Sequence, residues 1–112
     1  MIHEILTDAG VKYAQGRFIR MPAETHAVYF DDIEVETGDR TGNPIGDLPR
    51  IYHHDVTVEL YEPKPDEPAE TAIEAALDAR GIPWAKQDRY WVPDAQRYQV
   101  IYEFSYIQKI RR

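Results

Sequence analysis

The residues best suited to chemistry sit together in "IYHHDVTVELYE", from Ile51 to Glu62, where His53, His54 and Asp55 follow one another. Imidazoles beside a carboxylate suit a metal site or a proton relay. The remaining letters read as a strand, and that decides the geometry. His54, Val56, Val58 and Leu60 share one parity, and His53, Asp55, Thr57 and Glu59 the other. Consecutive strand residues point to opposite faces, so His53 and His54 diverge and cannot chelate one ion together. His53 with Asp55 is a workable ligand pair that lacks its third and fourth partners. A second acidic pair, Asp31-Asp32, faces the same objection. No catalytic, cofactor or metal residue is assigned. His53, Asp55, Asp31 and Asp32 remain the only seeds for a small metal-dependent or acid–base enzyme.

Composition bounds the rest. The chain has 112 residues and reads as one domain, 1–112. It has no cysteine, which excludes disulfides and thiolate chemistry. A hydrophobic share of 43% with 29% charged residues describes a soluble globular chain. No apolar run approaches the ~20 residues of a membrane span, and "MIHEILTDAG" is unlike a signal peptide. The net charge of −7 opposes phosphate binding, and the basic tail "QKIRR" reads as a solvated end.

Several elements must position these residues. Ile2, Ile5, Leu6 and Ala9 have helical spacing, with Gly10 as the stop. "GRFIR" (16–20) is a brief strand candidate. "THAVYFDDIEVET" (25–37) reads as a strand whose apolar phase changes, so a bulge or bend is expected at Asp31-Asp32. The segment 38–50, "GDRTGNPIGDLPR", is a long polar loop that matches neither a calcium loop nor a phosphate loop. It reads equally as a hairpin tip and as a contact arm. Asp66 caps the clearest helix, which runs to Gly81, with Glu70 and Glu74 on a solvated flank. "WAKQDRYWV" (84–92) and "RYQVIYEFSYIQK" (97–109) follow as strands. In the second, Tyr98, Val100, Tyr102, Phe104 and Tyr106 form one face, suited to core packing or interface contact. The expected fold is α+β: a mainly antiparallel sheet of four to five strands, one long helix on a face, and a short N-terminal helix.

The succession "THAVYF", "HDVTVELYEPKPDEPAETAIEAAL" and "GIPWAKQDRYWVPDAQRYQVIYEFSYIQK" resembles the tail-completion proteins of long-tailed bacteriophages and prophages, also called tail terminators or tail-to-head joining proteins. That resemblance spans nearly the whole chain and rests on element order and on phrases such as "ELYE" and "YQVIYEF". It implies a structural virion subunit, assembled in the host cytoplasm, that forms a ring, usually a hexamer, at the tail–neck junction. Its partners would be copies of itself, the tail tube protein and a head-neck connector, with DNA passing through the channel unbound. By position in the resemblance, Arg40, Asn43, Asp47 and Arg50 are the candidate interface residues. A head-closure or connector protein of the neck is the nearest alternative.

Overall fold

The computed structural model describes residues 1–37 and 50–110, without the side chains of Thr37 and Ile110. The chain runs α1 (Ile2–Asp8), β1 (Lys12–Gln15), β2 (His26–Thr37), β3 (Arg50–Glu62), α2 (Glu67–Ala79), β4 (Trp84–Lys86), β5 (Tyr90–Val92) and β6 (Arg97–Ile110). The fold is α+β with a mixed sheet. Among the described residues it has six strands, ordered β1-β2-β3-β6-β4, with β5 also on β6. The expected four to five strands become six for two local reasons. A parallel strand, β1, lies at Lys12–Gln15 beside β2, upstream of the expected 16–20. Gly16, at φ +75°, turns the chain out of that pairing, and its N–H donates to the Tyr29 carbonyl.

The second reason lies between β4 and β5. Both line the same edge of β6, yet their registers differ by one residue: Lys86 faces Tyr102, whereas Tyr90 faces Gln99. The single strand expected over 84–92 thus carries one extra residue, which breaks it in two. An extra residue inverts side-chain parity downstream, as a β-bulge does. Arg89 is thereby turned to the same face as Lys86.

The bulge expected at Asp31-Asp32 is absent. β2 pairs with β3 without interruption from His26↔Tyr61 to Thr37↔Arg50. The phase change has another cause: different covers lie over the two ends of one regular strand. Ala27 and Tyr29 are buried under the helices, while His26 and Val28 are buried on the opposite face beneath the 16–25 connection, where the Phe18 ring meets His26 edge-on. Ile33 and Val35 share the parity of Ala27 and Tyr29 but lie beyond the helices and stay exposed.

The core forms between one end of the sheet and the two helices. Val56, Val58, Leu60, Val100 and Tyr102 meet Ile73 and Leu77 of α2 and Ile5 and Leu6 of α1. α2 starts where Asp66 accepts the Ala69 N–H, and its acidic first turn complements the helix dipole. Gly81, at φ +66°, completes the exit. The polar stripe of α2 is less exposed than expected. Glu70 is buried, because the turned-in Arg89 and Lys86 reach it.

Candidate assembly surface

β3 is 13 residues long, about 43 Å at the usual strand rise. The thirteen-residue helix α2 rises about 20 Å, so part of the sheet has no helical cover. The uncovered part is a three-stranded arm made from Asp31–Thr37, Arg50–Asp55 and Ser105–Ile110. The described molecule is correspondingly elongated, 55 × 28 × 21 Å.

Where the core ends, a polar group closes it. Ile33 lies opposite His54, and His54 opposite Tyr106. The His54 Nδ1–H donates to the Asp31 carboxylate, with both oxygens at 2.9–3.0 Å, and Nε2 meets the Gln108 side-chain amide at 3.2 Å. The imidazole stacks on the Tyr106 ring, with centroids 4.3 Å apart and planes nearly parallel. Both His54 and Asp31 are about nine-tenths buried. Burial pushes the Tyr106 hydroxyl up to about 12, with a small addition from Asp31. The arrangement orients one imidazole firmly and seals the apolar layer under the helices.

Beyond this seal the two faces of the arm differ. On the helix side, Ile33 is 53% and Val35 48% exposed. On the opposite side stand Asp32, Glu34, Asp55 and Glu103, all exposed, with Ile107 64% exposed. A shallow depression of about 660 Å³ on this acidic side is lined by Glu34, Glu36, His53, Asp55, Ser105 and Ile107, among others. His53 Nε2 bonds Glu36 at 3.0 Å, and the Ser105 hydroxyl donates to Asp55 at 2.5 Å. These polar groups pair across strands instead of converging on one point. Among the described residues, no three His, Asp or Glu side chains stand close enough to hold a metal ion.

The chemically suggestive residues of the sequence are therefore distributed. His53 and His54 point to opposite faces, as do Asp31 and Asp32. Strand parity did not reveal the Asp31–His54 pair, because it joins two strands through a diagonal contact. Of the four candidate interface residues, Arg40, Asn43 and Asp47 lie outside the described residues. Arg50 is exposed and opens β3 between Thr37 and Ile110.

Another polar cluster holds α2 against the sheet. Glu62 is fully buried; its carboxylate accepts from Arg89 Nε at 3.0 Å and from the Asp66 N–H at 3.1 Å. Arg89 also bonds Glu70, and Lys86 bonds both Glu70 and Glu74 at 2.8–2.9 Å. Burial, helped by the hydrogen bond with Glu70, pushes the Glu62 carboxyl up to about 7. Burial also pushes Glu70 upward, but the bonds from Glu62, Arg89 and Lys86 outweigh it and leave Glu70 below its ordinary value. Tyr102 donates to Glu74 at 2.6 Å, and its hydroxyl is raised by burial and by that acid. Paired with one another across α2, β3 and the 86–89 segment, these groups brace the fold.

No protein-family model matches this chain, and no curated protein matches it in sequence. No helix among the described residues is long and apolar enough to cross a membrane.

Proposed function

We propose that the chain is a structural assembly subunit that acts through its uncovered arm, in the role its tail-completion resemblance implies. In that role it forms a ring, a hexamer, that caps the head-proximal end of a phage tail tube and joins it to the neck. The observation that carries this reading is the arm itself: three long strands project past the helices with Ile33 and Val35 bare on one face. A monomer gains nothing by leaving such residues in water, and burying each in a contact is worth roughly 1 kcal/mol. The division of faces also suits a capping ring. The apolar face and open edges suit contacts between subunits or with a tube. The acidic face repels DNA, so the nucleic acid passes without capture. By the resemblance, Arg40, Asn43, Asp47 and Arg50 belong to the surface offered to the tube; of these, Arg50 opens β3 in the arm.

Co-expression of the tail proteins with and without this chain tests the reading. Tubes of uncontrolled length in its absence, restored to one length by its addition, are expected. Tubes of normal length that fail only to join heads would assign it to the head-closure side of the neck. Normal tails joined to heads without it would overturn the proposal.

A further inference from the structure

The arm has two open edges as well as two faces. β1 covers β2 only from His26 to Tyr29, so from Phe30 onward the outer edge of β2 has no partner strand among the described residues. β4 and β5 cover β6 only as far as Phe104, so Ser105–Ile110 is likewise open. Such edges are templates for another strand. β2 and β6 each run antiparallel to β3, and hence parallel to one another.

We infer that the two edges bind each other between copies: β2 of one subunit pairs, in parallel, with β6 of the next, so the arms form one continuous sheet. This inference rests on the ring reading and specifies its contact. Three observations select the partner. First, a neighbour placed head to tail presents its β6 in the same direction and with the same face outward, which a cyclic ring requires. Second, the side chains complement each other. On the helix side, Ile33 and Val35 of β2 meet the row containing Tyr106. On the other side, Asp32 and Glu34 meet the row containing Ile107 and Lys109. Asp32, Glu34 and Lys109 are exposed and form no ion pair among the described residues. Third, the symmetric alternatives fit worse. β2 against β2 runs antiparallel and sets Asp32 and Glu34 against acids of the same row, which is unfavourable. β6 against β6 leaves Ile33 and Val35 bare.

The chain has no cysteine, so introduced thiols report cleanly. Asp32→Cys, Glu34→Cys and Ile107→Cys chains, each checked for an unchanged urea midpoint, are treated alone and in pairs with a short bismaleimide, which adds one thiol at each end. Native mass is recorded on each sample. Mixing a β2 variant with Ile107→Cys is expected to give at least ten times the dimer of either variant alone. Dimer formed by Asp32→Cys or Glu34→Cys alone would overturn the inference in favour of a two-fold contact. Ring-sized mass without crosslinks in the mixture would also overturn it while leaving the ring intact. Monomers only, with and without tail tubes, would remove the ring and this contact together.

Discussion

At the residue scale, Glu62 combines full burial, an arginine partner and a carboxyl raised to about 7. Its ordinary value is 4.5. The folded chain therefore keeps a proton that the unfolded chain has released between these values. This contribution to stability is complete below about pH 4.5 and is lost as pH rises through 7. Glu70 is lowered, so its contribution is present above 4.5 and lost as pH falls below. Because the two carboxyls titrate together, the opposing contributions belong to the pair. Urea unfolding from pH 4.5 to 8 should show stability declining by on the order of 2 kcal/mol, and Glu62→Gln should flatten that decline. Parallel profiles for the two chains would show that Glu62 does not hold the proton. Arg89→Ala strips both carboxylates of a shared partner and should cost about 3 kcal/mol at pH 7.

Part of this was legible from the residues. Glu62 has the parity of Val56, Val58 and Leu60, which already places it on the buried side. Arg89 was not legible, because its direction depends on one extra residue between two short strands. The Asp31–His54 pair needed the strand register.

At the element scale, α2 is fixed by its cap and by the bulge below it. Asp66 serves two bonds, accepting from Ala69 N–H and from the Thr25 hydroxyl at 2.6 Å. Asp66→Ala should cost about 1–2 kcal/mol of unfolding free energy. Removing Gln87 restores one register from Trp84 to Val92 and leaves Arg89 two residues after Lys86, still on its face. That deletion should therefore destabilise the chain less than Arg89→Ala, measured by urea midpoint. The capped helix, the short N-terminal helix and the long strands could be read from periodicity, since each repeats its signal over many residues. β1 could not: Lys12–Gln15 is four residues long, and only pairing with β2 makes it a strand. The phase change in β2 was a true signal attached to the wrong cause. Apolar residues on both parities mark two covers and a bare tip, in a strand that never bulges.

For the whole molecule, stability and assembly should separate along the long axis. The helices and the 16–25 connection enclose one end, and the arm carries the other. Leu60→Ala, in the enclosed end, should cost about 2–5 kcal/mol. Deleting residues 40–48 should leave the folded subunit within about 0.5 kcal/mol of the parent and block its joining to the tube; unfolding would show the segment to be part of the core. The sharpest test is an Ile33→Ser/Val35→Ser chain, with urea unfolding and native mass measured on the same samples as the parent. Stability within about 1 kcal/mol of the parent, together with loss of the ring, is expected if the bare face of the arm is the assembly surface. An unchanged ring on the substituted arm would contradict it.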